Sequence, residues 1–295
     1  MSPRLLITGG GGFVGSHLAE GFARLGYAVT ALDRSFDDQT RRRLAGVSCV
    51  ERELDGKSLR ALGRFDIVVH AAAITSTPEE TGLSEATHMS LNLTLFLDCY
   101  TFARDHGARI FVFLSSSGVF SFAEADTLTE SVPPRGTSAY ALAKRAGEVI
   151  AGSLDGCLVA RLGPIYGPHE TSRPSRLTPS PIRRWLDRLE TGQPIRVEQP
   201  LSRRDWTYAP DLAPALHRLF QHAGVTGIIH LTSGETLSDR DLALHLGAAF
   251  GVTPQVEEAA GAPIRAPMRS ERAELADFTW TPLHRGIEQL REVLA

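Results

Sequence analysis

Four consecutive glycines, residues 9–12, constrain the fold of this chain more than any other segment. They follow the apolar run RLLIT and precede a helical pattern over residues 16–25, so the order is strand, glycine turn, helix. Glycine tolerates positive φ and has no Cβ, so such a turn can approach a pyrophosphate closely, and the helix N-terminus adds N–H donors and partial positive charge. The pattern Thr8-Gly9-x-x-Gly12-x-x-Gly15 therefore predicts a dinucleotide-binding turn.

Short apolar runs then alternate with helical patterns along the chain: AVTALD, DIVVHAAA, RIFVFLSSS and CLVARLG. This alternation predicts an α/β fold with a Rossmann-type doubly wound parallel sheet, whose strands are apolar because both faces are covered. Proline and arginine become frequent after residue 163, which predicts a dinucleotide-binding domain over 1–163 and a smaller C-terminal substrate lobe over 164–295. The run GIIHLTS predicts a strand near 228–233 that returns to the first sheet, so we expect the two parts to be partly interleaved.

Composition excludes several classes of function. The 295 residues carry a net charge of −3, and their basic clusters are too short to form a stripe for nucleic acid. Cys49, Cys99 and Cys157 lie far apart, so we expect no disulfide framework and no metal site, and we expect a reducing compartment. No apolar run approaches membrane-spanning length, so we expect a cytoplasmic protein without a membrane partner.

Asp33 lies where the second predicted strand ends. An acidic residue there can accept hydrogen bonds from the adenosine ribose hydroxyls, which favours NAD over NADP. Arg34 and the arginines at 41–43 leave room for a 2′-phosphate, so NADP stays the less favoured alternative.

Tyr140 and Lys144 lie four residues apart in the helical pattern YALAK, and therefore on one face of the helix. Three serines, residues 115–117, follow an apolar strand at the edge where parallel sheets present ligands. A phenol with a pKa of about 10 is a poor base at neutral pH, but a nearby ammonium and a positively charged nicotinamide favour its ionised form. A serine hydroxyl can hydrogen-bond the reacting oxygen. These residues form a candidate proton-transfer set.

Seven segments together, spread over essentially the whole chain, resemble the extended short-chain dehydrogenases/reductases, in particular the NAD-dependent sugar epimerase/dehydratase group. They are TGGGGFVGSHL, HAAA, NLTLFLDCYTFARDHG, SSSGVF, YALAK, RLGPIYGP and RRDWTYAPDLA. The resemblance implies that Ser116 is the catalytic serine or threonine and that Tyr140 is the acid/base. It also implies that Lys144 holds the nicotinamide ribose and lowers the pKa of Tyr140.

By the same resemblance, a larger set of residues contacts the cofactor: Gly9, Gly12, Phe13, Val14, Gly15, Asp33, Arg34, Ala71, Ala72, Tyr140 and Lys144, with Asp55 or Glu53 at the adenine. Ser116, Ser117 and Arg204 are the implied substrate contacts. The basic loop that carries Arg173 and Arg176 is a further candidate for an anionic substrate. The resemblance also implies a homodimer that pairs through a four-helix contact.

Two departures from the family pattern bear on the reaction. Ser117 and Gly118 stand where the dehydratases carry Asp-Glu, which disfavours a 4,6-dehydratase. Pro164 stands where many nucleotide-sugar enzymes carry an asparagine that contacts the diphosphate region. The missing asparagine favours a net dehydrogenase or reductase of a smaller compound. Because the resemblance runs through the C-terminal segment as well as the dinucleotide half, we nevertheless expect a nucleotide-sugar epimerase that transiently oxidises a sugar hydroxyl. The alternatives are a net dehydrogenase or reductase of a free sugar, sugar acid or other small hydroxyl compound, and a non-catalytic NAD-binding regulator.

Overall fold

The computed structural model describes residues 2–121, 125–257 and 266–294. Its strands form one large sheet and three short pairs. In chain order they are β1 (Arg4–Thr8), β2 (Ala28–Asp33), β3 (Ser48–Glu51), β4 (Ile67–His70), β5 (Ile110–Ser116), β6 (Cys157–Leu162), β7 (Ile165–Tyr166), β8 (Arg196–Val197), β9 (Arg203–Asp205), β10 (Thr207–Tyr208), β11 (Gly227–Leu231), β12 (Thr236–Ser238) and β13 (Gln255–Val256).

The helices alternate with the strands. They are α1 (Phe13–Arg24), α2 (Asp38–Arg43), α3 (Gly56–Arg60), α4 (Pro78–Thr81), α5 (Glu85–Asp105), α6 (Ala139–Gly152), α7 (Pro181–Glu190), α8 (Leu212–Phe220), α9 (Asp239–Phe250) and α10 (Leu283–Leu294). Short 3₁₀ turns cover Ser117–Val119, Ala209–Asp211 and Ala273–Leu275. Within the described ranges, none of these helices is both long enough and apolar enough to cross a membrane.

The large sheet has seven parallel strands in the order β11-β6-β5-β4-β1-β2-β3. Leu5, Leu6 and Ile7 in β1 are all fully buried, as expected of a strand covered on both faces. The chain builds the sheet outward in one direction from β1 and in the other from β4, so the topological switch lies between these two strands. Ligands of such sheets bind at the carboxyl ends of the strands near this point. The predicted Rossmann-type fold class is confirmed.

Two hydrophobic cores flank the sheet. Leu5 and Ile7 belong to the core that includes residues of α1 and α8. Leu6 points to the opposite face and belongs to the core that includes Phe96 and Phe102 of α5. Successive residues of one strand thus serve opposite layers, and the sheet holds its carboxyl edge rigidly between them.

The C-terminal residues add a third core, in which Trp185 and Trp206 pack with residues of α9 and α10. The short pairs β7 with β10, β8 with β13 and β9 with β12 belong to this part of the molecule. Between the two halves of this part, the chain returns to the large sheet, where β11 pairs in parallel with β6 and Ile229 lies opposite Ala160. Residues 163–226 are therefore inserted between two neighbouring strands, while α9 and α10 follow β11.

Candidate active site

The glycine turn is packed too closely to admit side chains. Gly9 has φ +71°, and a Cβ there would lie 2.7 Å from the Ala72 backbone. A Cβ on Gly15 would lie 2.0 Å from the Gly9 carbonyl oxygen. Gly12 precedes α1 as its N-cap and has no side chain to occupy the first helical N–H groups. The turn leaves a backbone cradle at the start of α1, which fits a dinucleotide pyrophosphate.

Asp33 borders this cradle. Its Oδ2 accepts a hydrogen bond from the Gly11 N–H at 2.9 Å, and its Oδ1 accepts one from the Arg34 N–H at 2.7 Å. β2 therefore delivers a carboxylate directly to the glycine turn, where the sequence places a ribose acceptor.

The arginines near Asp33 have protein partners. Arg41 forms an ion pair with Glu51, and Arg43 forms one with Glu20 at 2.7 Å. Arg34 is exposed. Two of the arginines that could have bound a 2′-phosphate are thus paired with carboxylates in the cofactor-free protein.

The predicted reacting residues meet where β5 ends against α6. Ser138 caps α6 by accepting a hydrogen bond from the Ala141 N–H at 3.2 Å, which places Tyr140 in the first turn. Ser116 Oγ accepts from the Gly118 N–H at 2.9 Å, and the interaction with Ser116 lowers the pKa of Tyr140. Lys144, one turn further, donates from Nζ to the Leu114 carbonyl oxygen at 2.7 Å. The structure brings Ser116, Tyr140 and Lys144 together.

The electrostatics of this group are dominated by burial. Burial raises the pKa of Tyr140, while the Ser116 hydrogen bond and the Arg176 cation lower it. Burial also lowers the pKa of Lys144 to about 8, and the Glu148 carboxylate opposes this change. The sequence suggested a lowered pKa for the phenol, whereas in the cofactor-free protein the pKa of Tyr140 lies above its ordinary value because its surroundings disfavour the charged phenolate.

A pocket of about 350 Å³ opens over these groups. Its lining includes residues that the sequence singled out: Val14, Ala71, Ser116, Ser117, Tyr140, Lys144, Pro164 and Arg204. It also includes Arg176, Ser180 and Trp206. The pocket therefore joins the cradle side of the sheet, through Val14 and Ala71, to residues of the C-terminal part.

Arg176, rather than Arg173, reaches this pocket. Arg173 is ion-paired with Asp37, the N-cap of α2, and is not part of the pocket lining. Arg176 donates from Nη2 to the buried Glu170 carboxylate at 2.8 Å. Glu170 also accepts from the N–H and hydroxyl of Ser180, at 2.9 and 2.6 Å. The loop thus turns one arginine toward the reacting phenol and the other toward the cofactor side.

Asp55 is an exposed helix cap. It precedes α3, and its Oδ1 accepts a hydrogen bond from the Ser58 N–H at 2.7 Å. Glu53 is also exposed. The carboxylate of Asp55 therefore has a structural role, and the adenine contact of either residue stays a prediction.

A second cleft, of about 630 Å³, adjoins the pocket. The two share Pro181 and Arg204, and the second cleft adds Arg184, Arg188 and Arg196. Arg204 donates to Asp239 at 3.3 Å. Burial raises the pKa of Asp239, while the cations of Arg204 and Arg184 lower it. A cleft lined by four arginines and by the carboxylates of Asp187, Glu198 and Asp239 thus continues from the reacting residues along α7.

Several residues of the site escaped sequence analysis. No local sequence pattern identifies Glu170, Ser180 or Trp206. These residues reach the site through tertiary contacts of the C-terminal part. Trp206 lies inside the segment RRDWTYAPDLA, so its neighbourhood was identified but its role was not.

The fold and this site define the class of the protein: it is an extended short-chain dehydrogenase/reductase. Residues 5–231 match the sequence profile of the NAD dependent epimerase/dehydratase family. The chain belongs to that family, and its relatives are named enzymes.

Similar proteins differ in the reaction that their names describe. A dTDP-4-dehydro-6-deoxy-D-allose reductase from Streptomyces bikiniensis is 27% identical, with 97% of this chain and 94% of the relative aligned. A dTDP-glucose 4,6-dehydratase from Streptomyces griseus is 27% identical over 93% of this chain and 88% of the relative. The structure of a UDP-glucose 4-epimerase from Thermus thermophilus, in complex with NAD, superposes with a TM-score of 0.79 at 25% identity and covers 98% of both chains.

Proposed function

We propose that this protein transfers hydride at a hydroxyl-bearing carbon of a nucleotide-sugar and that its reaction is an epimerisation. The observation that carries the proposal is the junction of the two clefts at Arg204 and Pro181. A free sugar needs only the pocket over Ser116 and Tyr140. The extension of about 630 Å³ has room for the nucleoside of a larger ligand, and its four arginines, which outnumber its three carboxylates, are suited to the diphosphate.

The cofactor we propose is NAD, held by the glycine cradle and by Asp33. The cradle fits because a Cβ at Gly9 or Gly15 would collide with backbone atoms. A carboxylate at the end of β2 accepts hydrogen bonds from ribose hydroxyls and repels a 2′-phosphate, which favours NAD over NADP. Phe13, Val14, Ala71 and Ala72 are the further contacts that we propose, with Arg34 at the ribose. When bound, the nicotinamide accepts and returns the hydride.

The protein's own residues would move the proton. Ser116 orients the reacting hydroxyl toward Tyr140, and the Tyr140 oxygen takes its proton. Because burial raises the pKa of Tyr140, the phenol keeps its own proton at neutral pH until cations offset that burial. Lys144, whose Nζ lies 5.8 Å from the centre of the Tyr140 ring, supplies one cation, and Arg176 supplies a second.

A net reductase of a keto nucleotide-sugar is the second candidate. It is favoured by the name of the Streptomyces bikiniensis relative, a dTDP-4-dehydro-6-deoxy-D-allose reductase. A 4,6-dehydratase is disfavoured, because Ser117 and Gly118 offer no carboxylate for the additional acid/base step.

Product analysis tests the proposal. Purified protein is offered UDP- and dTDP-hexoses, keto nucleotide-sugars and free uronates, while product stereochemistry and NADH absorbance are followed separately. Isomerised nucleotide-sugar without net NADH change supports the epimerase. Stoichiometric NADH oxidation by a keto nucleotide-sugar selects the reductase instead. Turnover of free uronates alone overturns the nucleotide-sugar proposal, and silence with tight NAD binding favours a regulator.

Two arginine variants test the second cleft. Arg184 is exposed within it, so Arg184→Met should raise KM for a nucleotide-sugar by about tenfold while kcat changes little, because a binding interaction remote from the reacting atoms is lost. Arg285→Met is the matched control, since Arg285 is exposed on α10, outside this cleft, and pairs with Glu288. Equal KM values for both variants would contradict a ligand in this cleft.

A cytoplasmic homodimer remains our proposal for the assembly. Leu91 and Leu97 on α5, and Leu142 and Val149 on α6, are exposed although apolar, and the two helices pack side by side. Such a surface suits the four-helix contact expected of the family. Cys49, Cys99 and Cys157 are all free, which fits a reducing compartment. The domain limit at residue 163 also stays a proposal.

A further inference from the structure

Three consecutive residues of β5, residues 114–116, hold three successive turns of α6. The carbonyl oxygen of the first accepts from Lys144 Nζ at 2.7 Å. The hydroxyl of the second donates to Glu148 Oε1 at 2.6 Å. The side chain of the third, Ser116, interacts with Tyr140 and lowers its pKa. Helix and strand are therefore locked in axial register by one contact per turn, and only the Glu148 contact involves no proposed catalytic residue.

Glu148 accepts further hydrogen bonds besides the one from Ser115. Arg161 donates to it twice, from Nε to Oε1 at 2.9 Å and from Nη2 to Oε2 at 2.7 Å. The side chains of Glu148 and Arg161 are only 4% and 2% exposed. Ser115 and Arg161 lie opposite each other on neighbouring strands, so the carboxylate is clamped by two strands of the sheet.

The clamp extends to the C-terminal part through His230, which lies opposite Arg161 on β11. His230 Nδ1 donates to the Arg269 carbonyl oxygen at 3.2 Å, so Nε2 accepts from Arg161 Nη1 at 3.3 Å. Burial and the Arg161 cation keep the pKa of His230 at about 4, so this ring is neutral at physiological pH. The His230 N–H donates to Glu130 at 2.8 Å. The network therefore runs from Glu148 through Arg161 and His230 to Glu130.

Net stabilisation does not explain a buried ion pair, because apolar side chains of similar volume often stabilise such a position as well or better. The location of this pair is informative: its carboxylate lies one helical turn from the buried ammonium of Lys144. We propose that Glu148 is a positioning residue for Lys144. Glu148 fixes the axial position of α6 relative to the end of β5, and its carboxylate balances the charge of the Lys144 ammonium. The inference rests on the role proposed for Lys144 above.

The charged and titratable groups around Lys144 lie on several elements, and Arg176 and Arg204 line the same pocket. Glu148 and Tyr140 lie on its own helix, and Arg161 lies on β6 behind Glu148. On β4, His70 is fully buried, and burial together with the Lys144 cation lowers its pKa to about 3, so it is neutral. Glu148 is thus the anion that favours the protonated amine, against a burial that lowers the pKa of Lys144 to about 8.

The sequence offers an unusually clean test, because it contains only two lysines, Lys57 and Lys144. In protein labelled with [ε-¹³C]lysine, NMR resolves one exposed reference and one buried probe. Glu148→Gln should move the titration midpoint of Lys144 down by about one pH unit and leave Lys57 unchanged. At about pH 8 the protonated fraction of Lys144 then falls from about a half to about a tenth.

Glu130→Gln is the matched control, since it neutralises a half-buried carboxylate of the same network at the far side of His230. It should leave the Lys144 midpoint in place. If Glu148→Gln alone does not fold, the double variant Glu148→Gln/Arg161→Met removes both charges of the pair and keeps the test. A Lys144 midpoint unchanged in the folded single or double variant, or moved equally by Glu130→Gln, overturns the inference.

A second readout separates this inference from the proposed function. NAD affinity is measured against pH for wild type and Glu148→Gln. If Lys144 holds the cofactor, the alkaline loss of affinity begins about one pH unit lower in the variant. A moved NMR midpoint with an unmoved affinity profile leaves Glu148 as the positioning residue and refutes the cofactor role of Lys144.

Discussion

Replacing Lys144 by methionine should make the cofactor-free protein more stable while removing its activity. The side chain is 5% exposed, and burial lowers its pKa from 10.5 to about 8. Below about pH 8 the folded protein therefore holds an ammonium that would be more stable in water. Methionine has a similar length and carries no charge, so it avoids this cost.

The lowered pKa of Lys144 gives the size of the expected change in the free energy of unfolding. A fall from 10.5 to about 8 corresponds to about 3 kcal/mol of lost stability at neutral pH. Methionine also loses the hydrogen bond to the Leu114 carbonyl oxygen, which costs about 1–2 kcal/mol. The net expectation is that Lys144→Met raises the free energy of unfolding by about 1–2 kcal/mol near pH 7.

The stability difference between wild type and Lys144→Met should also depend on pH. Between about pH 8 and 10.5 the unfolded chain binds a proton at Lys144 that the folded chain does not. The free energy of unfolding of the wild type therefore increases with rising pH, relative to that of the variant. The advantage of methionine is full below about pH 8 and is lost as the pH approaches 10.5.

Urea unfolding followed by tryptophan fluorescence measures this difference at matched protein concentrations between about pH 7 and 10. Lys57→Met is the control, because Lys57 is exposed and its replacement should give no pH-dependent difference. A difference between wild type and Lys144→Met that stays constant over the whole range would refute the buried ammonium.

Three further substitutions probe the site. Tyr140→Phe should lower turnover by a factor of about 10²–10⁴ and leave NAD affinity, measured by fluorescence titration, nearly intact; wild-type turnover would show that the acid/base lies elsewhere. Asp33→Ala should weaken NAD binding and narrow its advantage over NADP in calorimetric titrations, and tighter binding of NADP by the wild type would reverse the cofactor assignment. Gly15→Ala places a Cβ 2.0 Å from the Gly9 carbonyl oxygen, so it should abolish dinucleotide binding and lower Tm; unchanged affinity would contradict the packing of the turn.

Local sequence patterns were sufficient for the framework of the site. The glycine spacing and the strand before it predicted the cradle, and the interval of four between Tyr140 and Lys144 predicted that both face the end of β5. Each of these signals depends on backbone geometry within one element or one turn. That is why the pattern and the structure agree there.

Tertiary contacts decided the remainder. Arg173 and Arg176 are three residues apart in one basic loop, and only the contacts of Asp37 and Glu170 determine which of them reaches the pocket. The higher pKa of Tyr140 depends on how deeply neighbouring elements bury it, which no local pattern records.

The alignment of Ser115, Arg161 and His230 across three neighbouring strands could not be predicted from the sequence either. It depends on the register of β5, β6 and β11, and β11 is distant from the other two in sequence. A local pattern carries no information about which residues such strands place side by side.

The return of β11 to the sheet also matters during synthesis. About 60 residues separate Leu162, which ends β6, from Gly227, which begins β11. At about 5–20 residues per second, a ribosome needs on the order of several seconds to make them. Throughout that interval β6 is the outermost strand, and its unpaired backbone groups are open to pairing with another nascent chain. The length of the inserted segment, residues 163–226, thus sets how long the edge of β6 waits for its partner strand during synthesis.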